Sequence, residues 1–165
     1  MIRPETQTQA LKNISFGLNG IKETLWYMRQ YVEQYKTNPQ IREVALDLVR
    51  HLDQKDFEGE VAQLFDFVQN NIRYVRDIHN VETVQTPLKT LEYSQGDCDD
   101  KVTLLAALLQ SLGHPTKFHA MGHNPNNVDH VFLEVYINNR WVALETTEPV
   151  SPGWLPPNIG TSIYG

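Results

Sequence analysis

The chain has 165 residues, 41% of them hydrophobic and 21% charged, the profile of one folded globular domain rather than a disordered or collagen-like chain. Fourteen Lys and Arg against 20 Asp and Glu leave a net charge of −6, which argues against a nucleic-acid binder, because such proteins present a clustered positive face. The longest nearly unbroken apolar run, residues 102–109, is far short of the roughly 18 needed to cross a bilayer. The polar residues 1–10 hold no apolar signal core, so the chain is expected in the cytoplasm and off the membrane.

The first half reads as helices. Residues 20–35 carry Ile21, Leu25, Met28 and Val32 at helical spacing, with Asn19 as the expected N-cap. Asn38-Pro39 then supplies a cap and a first-turn proline for a second helix, whose apolar face runs through Ile41, Val44, Ala45, Leu48, Val49 and Leu52. A third helix is expected over 58–71, with Val61, Leu64, Phe65 and Val68 on one stripe, leading into an extended stretch at 72–75. Residues 77–95 read mostly as loop, interrupted by a short helix at 87–91 capped by Thr86. Next comes the best-defined helix, from Asp97-Cys98 through a run apolar nearly all round to Gly113, followed by His114-Pro115; its composition predicts burial on every side.

The second half switches to period two, predicting strands at 116–121, 130–137 and 140–145. Asn138-Asn139 suits a two-residue hairpin turn because both residues tolerate positive φ. Residues 149–165 contain four prolines and no charge, which suits an extended tail lying over a surface or a partner. The expected fold is α+β: helices first, then the cysteine helix packed on a small antiparallel sheet. The expected organisation is a helical segment 1–56, a core 57–148 and a tail 149–165.

Cys98 is the only cysteine, so no intramolecular disulfide forms and the thiol is free for chemistry. Its place at a helix start exposes it to unpaired N–H groups and the helix dipole, which favour a thiolate. Asp97, Asp99 and Asp100 push the other way unless they act as caps. A nucleophilic thiol needs a base, and among the six histidines, His51, His79, His114, His119, His123 and His130, the hairpin gives one a derivable position. If Ile137 and Arg140 close a two-residue turn, His130 lies opposite Thr147 and Phe132 opposite Glu145. Glu145 then shares a face with His130 at a diagonal separation of roughly 7 to 8 Å between Cα atoms. A three-residue turn would instead bring Glu148 opposite His130, so the orienting acid depends on register. Asp129 points to the other face. His119 and His123 are four apart, but on a strand and a loop they do not converge with the three or four ligands zinc requires. No metal or cofactor is expected, and helix capping accounts for the aspartates more simply than calcium does.

The segments Gly96-Asp97-Cys98-Asp99-Asp100-Lys101, Gly113-His114-Pro115, Asp129-His130-Val131-Phe132-Leu133-Glu134-Val135 and Trp141-Val142-Ala143-Leu144-Glu145-Thr146, with 67–75 upstream, resemble the transglutaminase-like superfamily of papain-type cysteine enzymes over about residues 60–148. The helices before them, Gln85-Thr86-Pro87 and Gly153-Trp154-Leu155-Pro156-Pro157 further resemble small stand-alone members encoded by tailed phages and prophages. The resemblance implies Cys98 as nucleophile, His130 as general base and acid, and Glu145 as orienting carboxylate, where the family usually has Asp. The Cys98 backbone N–H is the natural first oxyanion donor. Gln85 is the choice for a side-chain donor, with Gln95 and Tyr93 as competitors. The implied chemistry is cysteine-dependent acyl transfer, with hydrolysis of a peptide or protein amide expected over crosslinking. The alternative is a structural or assembly protein of a phage particle that keeps the fold and binds phage structural proteins through its tail, in the host cytoplasm or the virion.

Overall fold

A computed structural model describes residues 9–11, 18–76, 82–157 and 161–165. In chain order the elements are β1 (Gln9–Leu11), α1 (Leu18–Tyr35), α2 (Pro39–Val49), α3 (Phe57–Asn71), β2 (Arg73–Tyr74), β3 (Glu82–Val84), α4 (Pro87–Tyr93), β4 (Gln95–Gly96), α5 (Cys98–Ser111), β5 (Thr116–Asn124), β6 (Asn127–Ile137), β7 (Arg140–Leu144) and β8 (Thr161–Tyr164). Helices precede an antiparallel sheet of order β7-β6-β5-β8, an α+β fold as the residue pattern predicts.

Local chemistry sets the element boundaries. Asn38 caps α2 by accepting from the N–H groups of Gln40 and Ile41, and Thr86 caps α4 through Lys89 N–H. Both caps satisfy donors that a helix start leaves open. Asn19 is not a cap, because α1 already runs from Leu18. α2 ends at Val49, three residues before Leu52, where the apolar stripe alone would carry it. At the end of α5, Gly113 has φ +92, with Gly113 N–H bonded to Gln110 O and His114 N–H to Leu109 O. That pair of bonds is a Schellman ending, which a β-carbon at Gly113 would strain.

α5 is the centre of the molecule. Residues 100–109 are buried without interruption, and α1, α2, α3, α4 and the inner face of the sheet all pack on it. Leu104, Leu105, Leu108 and Leu109 meet Phe118, Ala120, Val131, Leu133, Val135 and Leu144 in one core. Truncating any of these leucines to alanine costs about 2–5 kcal/mol, because the site cannot collapse around the void. The dense packing fixes the helix start relative to the strands, which is what a site built on both requires.

The hairpin takes the two-residue form. Ile137 pairs with Arg140 and Leu133 with Leu144, while Asn138 and Asn139 sit at φ 51 and 62. The strand edges differ from the pattern reading: β5 runs on to Asn124, β6 starts at Asn127 and β7 stops at Leu144. The tail does not simply drape. Thr161–Tyr164 form β8 on the free edge of β5, with His119 opposite Tyr164 and Gly122 opposite Thr161. Within the stretch read as mostly loop, β3 pairs with β1 and β4 runs parallel to β2. Among the described residues, no helix is long and apolar enough to cross a membrane.

Candidate active site

Asp97 is the N-cap of α5, and it forms a reciprocal box with Asp100. The Asp97 carboxylate accepts from Asp100 N–H at 3.1 Å, and Asp100 Oδ2 accepts from Asp97 N–H at 3.1 Å. Asp100 is fully buried and also accepts from the Gln85 backbone N–H at 2.7 Å and Gln85 Nε2 at 2.9 Å. Only glycine fits at position 96 beside it, since a β-carbon there would stand 2.5 Å from Asp100 Cβ. Two of the three aspartates thus serve to fix the helix start. Asp99 does something else: its Oδ1 accepts the thiol hydrogen of Cys98 at 3.6 Å.

Cys98 opens the helix half-buried. Burial pushes its thiol well above the ordinary value, the charges of Asp99 and Asp97 add to that, and the Val131 backbone N–H pointing at the sulfur works against it. Burial and the two aspartates thus oppose the thiolate that the helix start favours. Val131 is the residue after His130 on β6. Among the described residues, no hydrogen bond joins Cys98 to His130.

His130 and Glu145 are brought together. His130 Nε2–H donates to Glu145 Oε2 at 2.5 Å, which leaves Nδ1 for another partner. Glu145 is 1% exposed. Its second oxygen accepts from Thr147 N–H at 2.9 Å and from the Thr147 hydroxyl at 2.7 Å. Burial works to lower His130, and the hydrogen bond and charge of Glu145, with Asp99 and Asp129, outweigh it, so the imidazole titrates above its ordinary value. For Glu145, burial works upward, and the His130 contact with the two Thr147 donors outweighs it, so the carboxyl lies below its ordinary value. Both shifts favour an imidazolium–carboxylate pair.

The remaining candidates stand apart from this pair. Gln85 directs its amide N–H to Asp100, and its Oε1 is buried without a hydrogen-bond partner. Glu148 offers its backbone oxygen to Gln69 at 2.6 Å. Tyr93 is exposed, and Gln95 accepts from Arg73 at 2.7 Å. His114 is bound to Glu60 at 2.6 Å. His119 bonds Ser162 at 2.9 Å, 3.4 Å from Glu134, under the Tyr164 ring. His51 and His123 are exposed, and His79 lies outside the described residues. Among the described residues, no three His, Cys, Asp or Glu side chains converge as a metal site. A cavity of about 500 Å³ lined by Trp26, Arg29, Gln110 and Lys117 lies at the far end of α5, roughly 18 Å along the helix from Cys98, and does not reach the thiol.

The site thus combines a cysteine at the start of a central helix with His130 on β6 and Glu145 just beyond β7, within an α+β fold. The sequence profile of the Transglutaminase-like superfamily matches residues 42–146, and the chain belongs to that superfamily. Solved structures agree on the fold. A proposed protease from Parabacteroides distasonis has a TM-score of 0.62 at 15% identity, with 76% of this chain and 26% of that one covered. A proposed cysteine protease from Cytophaga hutchinsonii has a TM-score of 0.55 at 17% identity, with 84% and 51% covered. LapG of Legionella pneumophila, calcium-bound, has a TM-score of 0.53 at 16% identity, with 75% and 73% covered. The chain thus spans about a quarter and about half of the first two proteins. A search of curated proteins finds no match.

Proposed function

We propose that the protein is a cysteine-dependent acyl-transfer enzyme that hydrolyses a peptide or protein amide through Cys98, His130 and Glu145. The observation that carries this is the buried Glu145 carboxylate bound to His130 Nε2 at 2.5 Å on the strand whose Val131 N–H meets the Cys98 sulfur. His130 Nδ1 takes the thiol proton as sulfur attacks the carbonyl carbon, and Glu145 stabilises the imidazolium that results. The Cys98 backbone N–H faces the developing oxyanion. The imidazolium then protonates the leaving amine, and water, deprotonated by the same imidazole, hydrolyses the thioester. The attack proceeds from the form in which His130 is neutral and Cys98 a thiol, so that Nδ1 is free to accept the proton.

The second reading is a non-catalytic assembly protein, favoured by the Asp99 contact that opposes a thiolate. The narrower placement among phage-encoded members, in host cytoplasm or virion, is supported by the motif resemblance. On that reading the tail, 149–165, binds the structural partner, with β8 paired on β5 and Trp154 and Leu155 exposed. Alkylation by chloroacetamide separates enzyme from scaffold without a known substrate. At pH 7 the wild-type rate is expected to exceed that of His130→Ala by about a hundredfold or more, the usual contribution of a general base, with Glu145→Gln between them. Equal rates in all three would overturn the catalytic reading and favour the scaffold.

A further inference from the structure

Gln69 lies on α3, on neither the cysteine helix nor the hairpin, yet it touches both halves of the site. Its Nε2 donates to the backbone oxygens of Glu148 at 2.6 Å and Val150 at 2.8 Å, and at a longer 3.5 Å to that of Glu145. Its own backbone oxygen accepts from Lys101 Nζ at 3.2 Å, and the same ammonium donates to Ile72 O at 2.8 Å. Lys101 is 2% exposed and sits one helical turn after Cys98. A continuous path therefore runs from the Cys98 helix through Lys101 to Gln69, and from Gln69 to the loop that carries Glu145.

That loop needs an outside anchor. β7 ends at Leu144, so Glu145 is the first residue beyond the ladder and its backbone is not held by strand pairing. Thr147 fixes one carboxylate oxygen, but Thr147 belongs to the same loop and cannot place it relative to β6. Gly153 N–H returns the far end of the segment to β7 through Ala143 O at 2.7 Å, and Gln69 supplies the fixed point nearer Glu145. We infer that Gln69 is a positioning residue of the site, which sets the Glu145 carboxylate against His130 by clamping 145–150 to the helix that Lys101 ties to α5. The consequence for catalysis rests on the reading proposed above.

The test is Gln69→Met, which keeps the length of the side chain and removes both N–H donors. Three quantities are measured: the thermal midpoint, the titration midpoint of the His130 ring by NMR, and the chloroacetamide rate of Cys98. The expected result is a folded protein in which the His130 midpoint falls toward that of Glu145→Gln and the alkylation rate drops several-fold. A lowered thermal midpoint with the His130 midpoint and the alkylation rate unchanged would show a purely structural residue and overturn the inference. If Gln69→Met does not fold, Gln69→Asn, which keeps the amide but shortens its reach by a methylene, is judged by the same criteria. The NMR midpoint reports the Glu145 contact without turnover. A wild-type cysteine indifferent to His130 would therefore remove the catalytic reading while the His130 midpoint still decides the role of Gln69.

Discussion

Asp99→Asn offers the sharpest test of how the thiol is controlled. The Asp99 carboxylate stands 3.6 Å from the Cys98 sulfur and accepts its hydrogen, so the substitution removes a negative charge that opposes the thiolate. Two unit charges at that distance repel by about 1 kcal/mol in water-like surroundings and about 4–5 kcal/mol at the effective dielectric of a partly buried site. Even the smaller figure corresponds to roughly five times more thiolate at a fixed pH below the thiol midpoint. The alkylation rate at pH 7 is thus expected to rise at least about fivefold. Asp99 also helps to hold His130 above its ordinary value, so the histidine limb of the pH–rate profile should move to lower pH together with the cysteine limb. A simple loss of helix stability gives a different pattern. An acidic residue in the first turn of a helix contributes about 0.3–1 kcal/mol through the dipole, and its removal would lower the thermal midpoint with no change in reactivity. An alkylation rate that stays level or falls in Asp99→Asn, with both limbs unmoved, would refute the electrostatic account.

Two other perturbations follow from the same network. Burial lowers Lys101 from 10.5 to about 8, so between these values the unfolded chain binds the proton that the folded chain releases. Stability therefore rises with pH across that window, and denaturant titrations should show wild type gaining on the order of 2–3 kcal/mol relative to Lys101→Met between pH 7 and pH 10.5; a difference that is flat or shrinking would contradict it. A chain ending at residue 157 loses β8, the Phe118–Gly165 backbone bonds of 2.6 and 2.9 Å and the Ser162 partner of His119. Its thermal midpoint should fall by more than about 5 °C, with concentration-dependent association through the bared edge of β5 visible in light scattering; unchanged melting and a monodisperse monomer would show β8 to be dispensable.

What the amino-acid pattern reveals depends on how local the determinants are. α5 is legible because three independent signals agree: an aspartate cap, an all-round apolar run and a glycine stop. The β6–β7 hairpin is legible in its Asn-Asn turn, but its register is not: two- and three-residue turns put different acids beside His130, and the Ile137–Arg140 pairing is what selects between them. β8 is hidden because Thr-Ser-Ile-Tyr is four residues long and follows prolines; its strand conformation is imposed by the open edge of β5, a fact about distant residues. β1 and β3 are three residues each and pair across more than seventy positions, so neither has a period to display. The start of α1 at Leu18 shows the converse, a capping-competent asparagine taken into the helix.

The site divides along the same line, and the division explains how a glutamate stands where the family resemblance leads one to expect aspartate. Asp97, Asp99 and Asp100 all read as possible caps from their place at a helix start, and the structure divides them: Asp97 and Asp100 form the box, and Asp99 meets the thiol. The His130–Glu145 pairing follows from hairpin parity once the turn is the two-residue one. What parity cannot supply is the support: Thr147 two residues on, and Gln69 on α3, whose side chain would pass for an ordinary solvated one on the polar edge of its helix. Because β7 stops at Leu144, the acid's backbone has left the sheet by position 145. One carboxylate oxygen must reach back to His130 while the other is held by Thr147, and the additional methylene of glutamate supplies that reach. Glu145→Asp, one methylene shorter, is expected to weaken the His130 contact, which a fall in the titration midpoint of the His130 ring would show and an unchanged midpoint would refute.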